Sequence, residues 1–256
     1  MRRLRAPLRF ALAPRHESTQ AAGGRPGKTW LLDLDNTLHD AMPVIMPRIN
    51  RAMTDYVART LKLDHEQASA LRAGYWRRYG ATLLGMVAHH GVDPHDFLRQ
   101  THPFPDLHQI VRRDRRLHAA LARLPGRRLI VTNAPHDYAR RVVQLLGIAA
   151  LIEGIVPVET MRFAGRLQPK PSRSMLRRIV ARVRAHPSRC VMVEDTIANL
   201  ASAKALGMTT VLVTGITHGS RPAVARPRAG SARRIGVQVQ SFEHLPRRAL
   251  PRPFNV

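Results

Sequence analysis

Three short apolar runs in this chain each stop on polar side chains, and stretches of helical periodicity lie between them. Trp30-Leu31-Leu32 runs into Asp33-Leu34-Asp35, Leu129-Ile130-Val131 into Thr132-Asn133, and Val191-Met192-Val193 into Glu194-Asp195-Thr196. Apolar runs this short, without strict alternation, suit strands that are buried on both faces. Such strands alternating with helices predict an α/β chain: a Rossmann-like parallel sheet with helices on both faces. In open sheets of this kind ligands bind at the carboxyl ends of the strands. Each polar group stands at such an end.

Helical spacing fills the gaps. Ile45, Ile49, Met53, Tyr56, Val57 and Leu61 recur along one helix face. A second helix is predicted from about Asp64 to Tyr79 with Asp64 as its N-cap, a third from Thr82 to His90 stopped by Gly91, and a short fourth from Pro94. One helix is predicted from Leu107 to Leu124, ending at Pro125-Gly126. Strands are predicted over Arg128–Thr132, Cys190–Glu194 and Thr209–Val213, with helices over Asp137–Leu146, Ser172–Val183 and Ile197–Leu206. The patch from Ile235 to Val239 is read as a last edge strand. The organisation expected is a core over 29–41 and 109–215, an all-helical cap inserted over 42–108, a disordered basic extension over 1–28 and a basic tail over 216–256.

Charge needs its own explanation, because Lys+Arg number 42 against 17 Asp+Glu, a formal net charge of +25. That excess attracts polyanions. Only four residues are lysine, however, so arginine is spread through tails and helices alike rather than gathered in a patch. Aromatic residues make up 5% and nowhere interleave with basic ones as a stacking platform would. Nucleic acid is therefore expected only as weak electrostatic binding by the tails. No apolar run is long enough to span a bilayer, so no membrane is expected. The lone Cys190 excludes an internal disulfide framework and points to a reducing cytoplasm.

The strand-end residues carry chemistry. Asp33 and Asp35, two apart on a strand, point to one side. Close carboxylates repel, and a cation relieves them. A carboxylate can take up a phosphoryl group as nucleophile, and a second can protonate the leaving alkoxide and then activate water. Thr132 and Asn133 can hold phosphate oxygens. Lys170, fixed between Pro169 and Pro171, can neutralise nucleophile and phosphate together. Glu194 and Asp195 add hard oxygen ligands suited to Mg²⁺. The bland alternatives are helix-capping acids and an exposed turn lysine.

Taken in order, Asp33-Leu34-Asp35-Asn36-Thr37, Thr132-Asn133, Lys170 and Glu194-Asp195 resemble motifs one to four of haloacid dehalogenase-like hydrolases, over about residues 29 to 215. The resemblance implies that Asp33 is the nucleophile and a magnesium ligand. It implies that Asp35 is the general acid/base and lends its backbone carbonyl to the metal. Thr132 and Asn133 would bind the phosphoryl group, Lys170 would orient nucleophile and phosphate, and Asp195 would ligate Mg²⁺ with Glu194 beside it. Dehalogenases of this superfamily lack the second aspartate, so Asp35 implies a phosphatase.

A finer resemblance, through Tyr79-Gly80-Ala81-Thr82-Leu83, His90-Gly91-Val92-Asp93, Pro169-Lys170-Pro171 and Glu194-Asp195-Thr196, is to the pyrimidine 5′-nucleotidase branch. His39 stands where that branch more often has tyrosine. The branch implies UMP- and CMP-like substrates, with Tyr79, Thr82, His89 and His90 as candidates for holding the leaving group. The alternatives are a phosphatase for another small ester, such as a sugar phosphate or phosphoglycolate, and a nucleic-acid-binding protein on a hydrolase scaffold.

Overall fold

The structure is a computed structural model that describes residues 27–215 and 236–245. Nearly all of the basic extension and most of the basic tail, Ile235 included, lie outside the described residues.

Six strands form one parallel sheet: β1 (Thr29–Leu32), β2 (Arg127–Val131), β3 (Gly154–Val156), β6 (Cys190–Glu194), β7 (Thr209–Val213) and β8 (Val237–Val239). Their order is β3-β2-β1-β6-β7-β8. The strands read as continuous apolar runs because both faces are covered. Trp30, Leu32, Ile130, Val191 and Val193 enter one core cluster, while Leu31, Leu129, Val131 and Met192 enter the other. That split is the period-two alternation of a strand, hidden in the sequence because both sides need apolar residues. Helices α6 (Arg115–Ala122) and α7 (His136–Leu145) cover the first face, and α8 (Arg173–Arg182) and α9 (Ile197–Lys204) the second.

Between β1 and β2 the chain forms α1 (Ile45–Leu61), α2 (His65–Tyr79), α3 (Thr82–His90) and α4 (Pro94–Thr101). Local chemistry sets their ends. Asp64 and Gln67 make a reciprocal capping box at the start of α2, and Gly80 (φ 78°) and Gly91 (φ 62°) close α2 and α3 in the left-handed region. Tyr56, Val57, Leu83, Met86, Phe97 and Leu98 give these helices their own apolar cluster. Val158 and Leu167, from the segment between β3 and α8, join it and tie the helices to the sheet domain.

Two differences from expectation have clear causes. The helix predicted over 107–124 is two helices, α5 (Leu107–Ile110) and α6. Val111 is extended and buried, and the Asp114 carboxylate accepts from the backbone N–H of Arg116 (2.8 Å) and Leu117 (2.9 Å), restarting the helix. The short β3 and the hairpin of β4 (Arg162–Phe163) and β5 (Arg166–Leu167) were not anticipated, because two or three residues carry no readable period. The last edge strand is there, running parallel to β7 over Val237–Val239.

Helices α2 and α3 meet closely at Gly85, where an added Cβ would lie 2.2 Å from the Tyr75 ring. Gly85→Ala therefore overpacks this contact and should cost about 1–3 kcal/mol, read as a lower Tm in thermal unfolding. An unchanged Tm would mean the two helices separate at no cost.

Candidate active site

The strand order reverses beside β1, which has β2 on one side and β6 on the other. The carboxyl ends of these three strands therefore meet at the switch point, where open α/β sheets bind ligands. Asp33 follows β1 directly, and its N–H donates to Val193 O (3.0 Å) at the end of β6. Thr132 follows β2 and is buried, its hydroxyl accepting from the Ala134 N–H (3.0 Å). Glu194 ends β6 and is buried as well.

Lys170 reaches this point from the loop after β5. Its Nζ donates to Asp33 Oδ1 (2.5 Å) and to Glu194 Oε2 (2.7 Å), and the residue is 3% exposed. Asn133 holds the lysine backbone with both ends of its amide: Lys170 N–H donates to Asn133 Oδ1 (2.9 Å), and Asn133 Nδ2 donates to Lys170 O (3.0 Å). The side chain expected on the phosphoryl group thus also fixes the backbone of Lys170. The other oxygen of Asp33 accepts from Thr37 Oγ1 (3.1 Å).

Electrostatics here are unbalanced. Asp33, Glu194 and Asp195 bring carboxylate oxygens within 4.8 Å of one another. Burial pushes Asp33 up to about 7, helped by the charge of Glu194 and opposed by Lys170. Burial likewise pushes Glu194 up to about 7. Asp195 is raised by burial and by Asp33. Burial works against the Lys170 ammonium, but Asp33 and Glu194 outweigh it and hold the pKa above its ordinary value. Three carboxylates face one ammonium, an excess of two negative charges when all are ionised. Hard oxygen donors with that excess fit a divalent cation.

Asp35 differs from these acids. His39 Nε2 (2.8 Å) and the Tyr138 hydroxyl (2.6 Å) both donate to its Oδ1. Burial alone would raise this carboxyl, but the His39 hydrogen bond and charge, with the Tyr138 hydrogen bond, leave it below the usual value. Burial and the nearby Asp35 charge push the Tyr138 phenol upward, so it stays a donor. His102 packs edge-on against Tyr138 at 5.8 Å, and burial takes it down to about 4.

A cavity of about 540 Å³ separates these strand ends from α1–α4. Its floor is Asp33, Asp35, Thr132, Asn133, Lys170, Glu194 and Asp195, so every core residue expected at the site is brought together. The roof is mostly apolar, with Met46, Met53 and Leu83. Of the four expected cap contacts, only Thr82 lines the cavity, and its hydroxyl donates to Arg72 O (3.2 Å). Tyr79 and His90 are not among the lining residues. Tyr79 hydrogen-bonds His89 (2.6 Å), and His90 hydrogen-bonds Tyr75 (2.6 Å). Trp76, 48% exposed, and Arg72 line the cavity instead. They lie four positions apart on one face of α2, whereas Tyr79, the last residue of that helix, turns its hydroxyl to His89 instead. Arg72 Nε donates to Thr54 Oγ1 (3.0 Å) and Nη1 to Asn50 Oδ1 (2.9 Å); no carboxylate among the described residues pairs with it. Arg72, Trp76, His102 and Tyr138 were missed in the sequence, since none adjoins a motif.

The haloacid dehalogenase-like hydrolase family matches residues 28–207. The chain belongs to that family. It is 25% identical over 139 residues to Phosphate metabolism protein 8 of Saccharomyces cerevisiae, covering 50% of this chain and 42% of that one. The match thus spans less than half the length of the yeast relative. It is also 25% identical over 205 residues to Phosphoglycolate phosphatase of Rhodospirillum rubrum, covering 73% of this chain and 79% of that one. Among solved structures, CbbY from Rhodobacter sphaeroides in complex with phosphate superposes with a TM-score of 0.56 at 18% identity, covering 87% of this chain and 98% of that one. That likeness shows the fold. The family makes this chain a hydrolase of the haloacid dehalogenase-like class.

The raised carboxyls set a pH dependence. In the metal-free protein Asp33 and Glu194 hold protons up to about pH 7, and a bound cation must displace them. Apparent Mg²⁺ affinity, followed as the Mg²⁺-induced rise in Tm at pH 5.5, 6.5 and 7.5, should climb by up to about tenfold per pH unit for each proton displaced and level off above about pH 7. An affinity flat over that range would show that neither carboxyl is protonated in the metal-free site.

Proposed function

We propose that this chain is a magnesium-dependent phosphomonoesterase that works through an aspartyl-phosphate on Asp33, with nucleoside 5′-monophosphates as substrates and pyrimidines preferred. One observation carries the chemistry: a buried Asp33 at the floor of a cavity, bonded to Lys170 on one oxygen and to Thr37 on the other. Asp33 attacks phosphorus as the bond to the leaving oxygen breaks, and Asp35 protonates that oxygen. Asp35 then takes a proton from the water that attacks the aspartyl-phosphate, releasing phosphate and restoring Asp33. Lys170 and Thr132 neutralise and bind the phosphoryl oxygens. Asp33, Glu194 and Asp195 would hold the Mg²⁺, which supplies positive charge for those oxygens when bound.

The helices over 42–108 act as a cap that encloses the leaving group. Two residues of α2 support a pyrimidine nucleoside there. Trp76 offers a flat, half-exposed face for stacking, and Arg72 offers donors to the O2 carbonyl that uracil and cytosine share. A second reading has its own support. Arg72 pairs with no carboxylate, and the Rhodospirillum relative is named for phosphoglycolate, whose leaving group is an anion. The reaction belongs to the cytoplasm, consistent with the single free Cys190. No helix among the described residues is long and apolar enough to cross a membrane. Nucleic acid keeps only weak electrostatic contact with the tails.

Phosphate release from a panel of phosphomonoesters should be Mg²⁺-dependent, lost with chelator, and fastest on UMP or CMP. Asp33→Asn should lower turnover by roughly 10⁴-fold or more without unfolding the protein; full activity would remove Asp33 as nucleophile. Arg72→Gln keeps donors but not charge. It should change kcat/KM on UMP by less than about tenfold. A loss of roughly 30-fold or more, confined to phosphoglycolate as the better substrate, would favour the second reading.

A further inference from the structure

Two side chains hold one oxygen of Asp35 and leave the other alone. His39 Nε2 and the Tyr138 hydroxyl both donate to Oδ1, at 2.8 and 2.6 Å. Arg128 Nε is the only buried, unpartnered side-chain polar atom among the described residues, so Asp35 Oδ2, which has no protein partner there, is open to the cavity that Asp35 lines. A carboxylate held at a single oxygen by two donors from different directions loses the rotational freedom of its side chain. The oxygen it offers to anything in the cavity is then always the same one.

Both donors are themselves anchored. His39 closes a tight loop: Asn36, at a left-handed φ of 62°, donates its N–H to His39 O (2.8 Å), and Asp35 and His39 form a β-bridge. Tyr138 stands in the first turn of α7, 3% exposed, against Phe104 (5.5 Å) and His102 (5.8 Å). A tyrosine 103 positions from its partner, packed so that its hydroxyl meets one carboxylate oxygen, is more than core filling requires.

The geometry points to Tyr138 and His39 as positioning residues for proton transfer: by clamping Oδ1 they aim Oδ2 of Asp35 at the ester oxygen of the leaving group. The inference rests on the reading of Asp35 as general acid/base. In the first step the bond from phosphorus to the leaving oxygen breaks as the bond to Asp33 forms, and Oδ2, which must enter this step carrying a proton taken up from solvent, gives it to that leaving oxygen. In the second, Oδ2 takes the proton of the attacking water. Misplacing a reacting group by about 1 Å can cost about a hundredfold in rate.

Leaving-group chemistry separates positioning from mere packing. An alkoxide needs a proton as it departs; p-nitrophenolate does not. Full-length protein with Mg²⁺ is assayed for the first-turnover rate, which reports the step before water attacks, on p-nitrophenyl phosphate and on whichever alkyl phosphate of the panel it cleaves fastest. Tyr138→Phe is expected to slow the alkyl ester about tenfold to a hundredfold and p-nitrophenyl phosphate less than about threefold. His39→Gln, which keeps a donor, is expected to retain more alkyl-ester activity than His39→Ala. Retained p-nitrophenyl phosphate cleavage also shows that each variant is folded. Equal losses on both esters, or no loss on the alkyl ester, overturn the clamp. Asp35→Asn is run alongside. A selective alkyl-ester loss in that variant but not in Tyr138→Phe leaves the acid/base reading standing and removes the clamp. No selective loss in Asp35→Asn removes the acid/base reading itself.

Discussion

A buried ammonium between two buried carboxylates organises this molecule. Lys170 is 3% exposed, with Asp33 on one side and Glu194 on the other. Taking three charges out of water is costly, and their attraction repays this only with good geometry. Such a group is weak evidence of stability and better evidence of a task. The charges do not even balance, because Asp195 adds a third carboxylate beside the pair. With all three ionised, folding holds a surplus of negative charge in a dry place, and a divalent cation is the natural complement.

The sheet makes this possible. The three carboxylates come from two stretches far apart in the chain, Asp33 after β1 and the adjacent Glu194-Asp195 at the end of β6, and Lys170 is 137 positions from Asp33. Parallel pairing of β1 with β2 and β6 lines up the carboxyl ends of all three strands. Each strand then places its next residue in the same small volume. The loop carrying Lys170 has no such strand to steer it, and the Asn133 amide does that work through two hydrogen bonds.

In the proposed reaction, chemistry and selection fall on the two sides of the cavity. The floor holds the ionised groups and is set by strand ends, which are rigid. The roof is mostly apolar side chains of α1–α4, with Arg72 and Trp76 set among them. These helices have their own core, so the roof can differ in chemistry without disturbing the floor. Asp35 sits where the two sides meet. It is held by Tyr138, which packs on His102 and Phe104 from the connection leading out of the helical insertion.

Much of this was legible in the chain. Parallel strands, helix ends at Asp64, Gly80 and Gly91, and the strand-end acids all follow from local rules that read a few neighbours at a time. So does the fate of Asp33, Asp35, Glu194 and Asp195, because a residue at the end of a buried strand in this fold has only one place to go. The helix over 107–124 misled for the opposite reason: its periodicity continued across Asp114, where a side-chain cap breaks the helix. What the sequence could not decide was which residues of a helix face which neighbour. Tyr79 and Trp76 are both aromatic, three positions apart on α2, yet only Trp76 meets the cavity, because that depends on how α2 packs on α1 and α3. Nor could it reveal that Tyr138 reaches Asp35, or that Arg72 faces the cavity with neutral partners. Strand ends are placed by backbone hydrogen bonding, which sequence pattern determines. Helix faces and distant contacts are placed by packing, which only the tertiary structure decides.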